Sequence, residues 1–586
     1  MWQPANSSAQ PPNTVTLFIA QAWHELLNPQ TPDTFQARVL DLPMLIDELS
    51  GVAELAREDE RWSNYLPAIA AEIKDNRQQE APYLARDSRL ASAIDAVIAT
   101  IDSDTRSPNV LRERSQIALT LLGDVQARWQ KHALELAAGD GHQKQLLLHR
   151  LSTLATHVLD RGLEEESLAK IHGDNCRGTP APFVESATGC TSAGPRNYTC
   201  LLALYGSRSD LAALIANSKF TQVGKGAGIR HDETSKHWHQ EYGDLFFVSF
   251  PCSAVSRRMA AEQSLQAIST LLNVQNLYHN SADFRAGARV LVYDQNYSAF
   301  SVEVSPEKHF GLFPRSEYRR LSRETYARVG HRLDGRISNA LECHALALSA
   351  DHPKTAIINL WTALETITGF LGAKATGARV ADCIAPIIAR RRVDKIATYL
   401  ALSVHSMAQW DGRGIDSTFL PASSEKFVAP DDILRAVTGK ANNPAVEYLL
   451  QRSAEYPLLV NRLFTVWQQF HDPKALAGSL AQSRKRVEWQ ISRIYRARNL
   501  LVHRGDQSRY TWRLLRNAHY YVSSTISRVL HDLRDQPRWT VDTSLVHQQQ
   551  RYDYLHDQLF SKQGATIVFS DLLLQKTRNS DTKVWA

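Results

Sequence analysis

Cysteine is scarce in this chain of 586 residues. Only Cys176, Cys190, Cys200, Cys252, Cys343 and Cys383 occur, and no two form a CxxC pair. That excludes a disulfide framework and the usual paired-cysteine zinc modules, and it predicts free thiols in a reducing, cytoplasmic compartment. Long apolar runs are missing too. None approaches the roughly 18 residues that a membrane span needs. The opening MWQPANSSAQPPNTV has no basic segment leading into an apolar stretch, so neither a signal peptide nor membrane association is expected. VGKGAGIR (223–230) has glycines and a lysine but lacks the GKS/T ending of a phosphate-binding loop, and there is no HExxH and no nucleophile elbow. No internal repeat is evident.

What is present is an ordinary globular composition. Hydrophobic residues make up 43% and charged residues 22%, which fits a folded soluble chain, and the length suggests two to four domains. The formal charge of +6 permits a polyanionic partner without requiring one, because the excess is spread over a long chain. Two basic clusters stand out, Arg390-Arg391-Arg392 and Arg484-Lys485-Arg486. Each reads either as a nucleic-acid contact or as a solvated helix face.

The fold class expected is α+β and multidomain. Residues 1–175 form a mainly helical region. It opens with a Pro/Ser/Gln/Asn-rich stretch and a strand-like run, TVTLFIA. LARDSRLASAIDAVIATID and SQIALTLLGDVQARWQKHALELA then repeat apolar residues at three- and four-residue spacing. A Gly- and Pro-rich stretch after His172 marks a boundary. Residues 176–325 read as an α/β domain with sensing or regulatory character, with strands YTCLLALYG, DLFFVSFPC, ARVLVYD and SAFSVEV around one helix, AAEQSLQAISTLLNVQNLYH. Residues 326–540 are helical again, with a third helix over roughly 379–402, an irregular insertion at 403–445 and a long helix over 474–503. Residues 541–586 form a C-terminal extension without assignment.

The chemistry-bearing segment is RNLLVH (498–503), at the end of that long helix and just before Gly505, a natural helix terminator. Arg-x4-His is a weak pattern. With 67 Lys and Arg and 21 His in the chain, roughly one or two matches arise by chance. Two occur, Arg498/His503 and Arg551/His556, and the second lies in the unassigned extension. Val487, Ile491, Ile494 and Arg498 fall at helical steps, so Arg498 continues an apolar stripe. A guanidinium there needs an acceptor. One reading is structural, with Arg498 paired to Glu365 or to helix-end carbonyls. The other is catalytic.

The run VEWQISRIYRARNLLVHRG, with LWTALETITG upstream and a helix carrying Tyr520 and Tyr521 downstream, resembles HEPN domains of the ApeA-like anti-phage defence group. The resemblance covers about residues 330–535. It implies an all-α HEPN helical bundle over 326–540 and a metal-independent endoribonuclease that needs no cofactor and cuts tRNA or mRNA in bacterial anti-phage defence. Arg498 and His503 would take the catalytic positions and Asn499 the motif's polar position. Glu365 would stand where the family often has an acidic helix residue. Arg484, Lys485 and Arg504 would contact RNA, and a phage-derived trigger would be sensed before residue 325. The residue types fit that chemistry. RNA supplies its own 2′-OH nucleophile, histidine can move a proton near neutrality, and arginine can clamp phosphate as charge builds. Products would carry a 2′,3′-cyclic phosphate or 3′-phosphate and a 5′-hydroxyl. Five helical residues turn about 500°, leaving Arg498 and His503 about 140° apart. The helix end must distort, or the site must be composite, and a single motif per chain then suggests a homodimer.

The competing constellations are weaker. His172, Cys176, Cys190 and Cys200 lack close cysteine pairs, and a zinc-dependent nucleic-acid binder built on them is the third reading. His231, His237 and His239 in HDETSKHWH could be strand ligands or a surface loop. His344, on an apolar stripe, reads as a core histidine. Gly505 stands two positions after His503, where the AMPylated toxin–antitoxin subgroup has tyrosine, which argues against that subgroup. A non-catalytic HEPN scaffold binding RNA or protein is the second reading, and it has no need of an intact Arg/His pair.

Overall fold

Apolar spacing at three and four residues closes into helices along most of the chain. The computed structural model describes residues 14–27, 40–102, 107–123, 125–139, 143–160, 180–189, 195–216, 218–224, 232–279, 282–304, 335–350, 352–369, 376–410, 412–420, 422–424, 427–438, 444–505 and 511–561. The fold is α+β, mostly helical, with one six-stranded antiparallel sheet and a small two-stranded one.

The strand-like TVTLFIA is instead the start of a helix, Thr14–Leu27. A short apolar run does not distinguish a strand from a helix buried on several sides. Here Phe18, Ile19, Ala20, Ala22, Trp23 and Leu27 are all buried, which leaves little polar face to mark the period. Helices from Leu42–Glu58 to Lys144–Asp160 follow, as the spacing predicts. One continuous buried cluster joins this N-terminal layer (Leu45, Leu49, Ile69, Trp129) to the C-terminal helices (Trp361, Ile384, Ile491, Tyr521).

A buried charge network crosses the same boundary. Arg493 donates from Nε and Nη2 to Glu48 at 2.8 Å each and from Nη2 to Glu72 at 2.7 Å, and Arg496 also pairs with Glu48. All four residues are buried. Burial alone would raise the Glu48 carboxyl, but Arg493 and Arg496 outweigh it and hold it below its usual range.

Within the segment expected to be α/β, the four strands anticipated appear as β1 (Arg196–Tyr205), β3 (Phe246–Ala254), β5 (Arg289–Tyr293) and β6 (Ala299–Glu303). Two short strands were not anticipated, β2 (Thr221–Val223) and β4 (Arg285–Ala286). The order is β2-β3-β1-β5-β6, with β4 also on β1. Every ladder is antiparallel, so this is an α+β unit rather than a parallel α/β one. Helix Arg257–His279 packs on one face, and helix Glu233–Tyr242 covers the other through Trp238 and Tyr242. Among the described residues these two clusters contain only residues 198–304 and stand apart from the large helical core.

The third C-terminal helix is longer than expected, Thr376–Trp410. The insertion at 403–445 holds the end of that helix, a two-stranded hairpin and helix Pro430–Thr438. Part of the unassigned extension is helix Val541–Phe560, with Leu559 and Tyr552 buried against Ala389, Val393, Leu476 and Leu480.

Candidate active site

The segment RNLLVH closes helix Pro473–Arg504. Asp472 caps its start, its carboxylate accepting from the Lys474 and Ala475 N–H groups, with Pro473 in the first turn. Gly505 ends it in the left-handed region, φ 70°, and donates its N–H to Leu501. The helix stays regular through Arg504, so its geometry splays the motif. Arg498 and Asn499 are half-buried against the N-terminal layer, and His503 is exposed, about 7.5 Å further along the axis.

Arg498 Nη1 donates to Asn499 Oδ1 at 3.0 Å. Asn499 Nδ2 donates to the Tyr65 hydroxyl at 2.8 Å. The Arg498 Nε is buried without a hydrogen-bond partner among the described residues. The structural pairing of Arg498 with Glu365 is not found. Glu365 instead accepts from Trp361 Nε1 at 3.1 Å, one turn away on its own helix. The two sites are linked by rings: Trp361 stacks on Tyr495 at 4.8 Å between centroids, and Tyr495 lies 6.1 Å from Tyr65. Gly377 supports this row, since a Cβ there would meet Tyr495 Cδ1 at 2.7 Å.

The expected RNA contacts are scattered. Arg504 pairs with Glu58 at 2.5 Å, close to the motif. Arg484 lies fourteen residues before Arg498, about 21 Å along the helix. It is bound to Glu488 at 2.9 Å and Asp553 at 3.4 Å, and it stands over the Tyr552 ring. Lys485 is exposed. The structure thus brings Arg498, Asn499 and Arg504 together with Tyr65 and Glu58, and it leaves Glu365, Arg484 and Lys485 apart from them.

Tyr65 and Glu58 carried no local signal, because they stand more than 430 residues away in sequence. Tyr495 could have been singled out, as it sits three residues before Arg498 on the same helix face.

The other constellations resolve differently. His237 and His239 lie on helix Glu233–Tyr242, not on a strand, and His239 packs edge-on against Trp238 and Phe247. His231, His172, Cys176 and Cys190 lie outside the described residues. Among the described residues no group of three His, Cys, Asp or Glu is placed to hold a metal, and no helix is long and apolar enough to cross a membrane. His344 is half-buried and stacked on His519 at 5.1 Å, with its titration lowered by burial. Arg551 and His556 lie on helix Val541–Phe560, where His556 packs between Tyr552 and Phe560.

No family model, no curated protein and no solved structure matches the chain. The chemistry of this site therefore rests on its own residues.

Proposed function

We propose that the chain is a metal-independent endoribonuclease of the HEPN type, cutting tRNA or mRNA in bacterial anti-phage defence. The lack of a carboxylate partner for Arg498 among the described residues carries this reading. On the same helix Arg484, Arg493, Arg496 and Arg504 each have a carboxylate partner. Among the described residues Arg498 has only the neutral Asn499 as a partner and its Nε has no acceptor, a state that the Nε of Arg486 on the same helix shares. A half-buried guanidinium in that state favours an incoming anion, and two oxygens of an RNA phosphate can accept from the planar guanidinium bidentately. His503 is exposed one turn on and is free to exchange a proton with a 2′-OH or a leaving 5′ oxygen. Because Arg498 and His503 point to different sides of a regular helix, a homodimer with its motifs facing across a two-fold axis completes the cleft. Residues before 325 would receive the phage-derived trigger.

The test is cleavage of RNA by the purified chain in EDTA, with Arg498→Ala and His503→Ala as controls. Loss in both variants and 2′,3′-cyclic phosphate or 3′-phosphate ends support the assignment. Full activity in either variant removes it, and loss in EDTA points to a metal nuclease.

A second reading is favoured by the contacts of Tyr65 with Asn499 and Glu58 with Arg504. They occupy the motif's polar position and the arginine just after the motif, and they suit a non-catalytic scaffold. Such a scaffold would bind RNA or protein equally well after His503→Ala.

A further inference from the structure

The sheet holds a feature that the nuclease reading does not use. In the pairing of β1 with β3, Cys200 stands opposite Phe250 and Tyr198 opposite Cys252. Cys200 and Cys252 are therefore diagonal neighbours on one face. Their sulfurs lie 3.8 Å apart, and Cys252 Sγ is also 3.8 Å from the Ala260 carbonyl oxygen. Both are free thiols. They differ in access, for Cys200 is fully buried and Cys252 only partly. Cys252 lines a cavity of about 520 Å³ together with Tyr198, Ser253, Asp294, Gln295 and Tyr297.

The mouth of that cavity has a fixed shape. Asp294 Oδ1 accepts from the N–H groups of Asn296 at 2.9 Å and Ser298 at 3.0 Å. That turn holds Tyr297 at φ 57°, the one left-handed non-glycine residue among those described, and leaves it 65% exposed at the rim. Backbone strain of this kind collects at functional sites.

We propose that Cys252 is a hydroperoxide-reactive thiol, reached through this cavity, and that Cys200 is its resolving partner. The charge distribution supports the roles. The hydrogen bond from Cys200 lowers the Cys252 thiol below its usual range, against burial, which acts the other way. The same bond, together with burial, pushes Cys200 up. The thiolate therefore forms on Cys252, the less buried of the two residues, and the thiolate is the reactive form.

The steps balance. The Cys252 thiolate attacks one peroxide oxygen and the O–O bond breaks. The departing oxygen takes a proton and leaves as water or an alcohol, and Cys252 becomes a sulfenic acid. The Cys200 sulfur then attacks the Cys252 sulfur. The S–O bond breaks, hydroxide leaves with the Cys200 proton as water, and a disulfide links β1 to β3. Two thiols are oxidised and one peroxide is reduced. The sulfurs must close from 3.8 Å to about 2.05 Å. Such a bond would be a transient, reducible one, as suits a redox-sensing pair in a reducing compartment.

Cys343 and Cys383 serve as internal references. Burial raises both, Cys383 to about 11. The experiment treats the reduced full-length chain at pH 7 with hydrogen peroxide and a dimedone-type trap, and reads each cysteine by peptide mass spectrometry. Wild type should yield a Cys200–Cys252 disulfide with little trapped adduct. Cys200→Ser, which keeps a hydroxyl donor, should trap sulfenic acid on Cys252. Cys252→Ser should leave Cys200 reduced. Competition with iodoacetamide on the wild type gives a second readout that no variant's folding can disturb, with Cys252 reacting at least about tenfold faster than Cys343. Cys252 reacting no faster than Cys343 overturns its role as the reactive thiol. Trapped Cys252 beside an intact Cys200 in the wild type overturns the resolving role.

Discussion

The side-chain amide of Asn499 donates to the Tyr65 hydroxyl at 2.8 Å, joining the polar position of the motif to the end of a short 3-10 helix, Glu60–Tyr65, 434 residues earlier. Through Asn499 the same contact reaches Arg498. Tyr65→Phe removes this acceptor and little else, since the ring keeps its place beside Trp62 and Tyr495. One hydrogen bond of this kind is worth about 1 kcal/mol, so a small drop in the unfolding midpoint is expected. RNA cleavage should stay at the wild-type level or rise. A tenfold fall in cleavage would make the Tyr65 hydroxyl part of the reacting site rather than a restraint on it.

Cleavage should separate the two Arg-x4-His segments. Arg498→Ala and His503→Ala are expected to lower activity by about 100-fold or more, the range of a lost proton donor or phosphate clamp. His556→Ala should leave it nearly unchanged, because His556 packs between Tyr552 and Phe560 on another helix. Equal losses at His503 and His556 would mean two working motifs per chain and would weaken the case for a dimeric cleft.

The buried network of Glu48, Glu72, Arg493 and Arg496 should matter for stability more than any surface pair. Removing one member leaves an uncompensated buried charge, at a cost of about 3–5 kcal/mol. Glu48 accepts from both arginines, so Glu48→Ala takes the carboxylate from Arg496 and leaves Arg493 with Glu72 alone. It should lower the thermal midpoint clearly more than Glu54→Ala, whose partners Arg57 and Arg112 are largely exposed. A Glu48→Ala midpoint no lower than that of Glu54→Ala would show that water reaches the network.

How much of this was legible in the sequence differs by element. The motif helix was read to within a residue at each end because its signals are local: Pro473 after a capping Asp472, a steady apolar stripe, then Gly505. The four main strands were visible for the same reason. Helix Thr14–Leu27 was not, since burial on several sides erases the polar face that marks its period. The setting of the site was hidden for another reason. Arg498 was legible as a cation on an apolar stripe, but Tyr65, Glu58 and Glu48 meet the motif helix only through long-range packing, and no spacing rule connects residues that far apart. Arg493 and Arg496 are more deeply buried than Arg498, and it is the carboxylates brought by the N-terminal layer that neutralise them.

Stability should fall on acidification in two stages. His132 and His519 are buried neutral. Burial lowers His132 to about 4, with Arg150 and Arg86 adding to it, and burial lowers His519 to about 3, with His344 adding to it. Their unfolded forms take up protons near pH 6.5. Between that value and about 4 the unfolded chain therefore binds more protons than the folded one, and stability drops as pH falls. Glu80 acts lower down. Burial alone would raise it, but His149 and Arg150 outweigh that and bring it to about 2. Arg150 donates to it at 2.7 Å with both side chains buried. The stability from this pair is complete above about pH 4.5 and is lost as pH falls toward 2. Thermal midpoints measured from pH 7.5 to 3 should decline first through the histidine window and then more steeply. His519→Phe keeps a ring against His344 and removes one titrating group. It should flatten the fall in stability between about pH 6.5 and about pH 3 by about 1.4 kcal/mol per pH unit, one proton's worth of linkage, and leave the contribution of Glu80 unchanged. An unaltered slope above pH 4 would show that His519 reaches solvent and titrates in the folded chain.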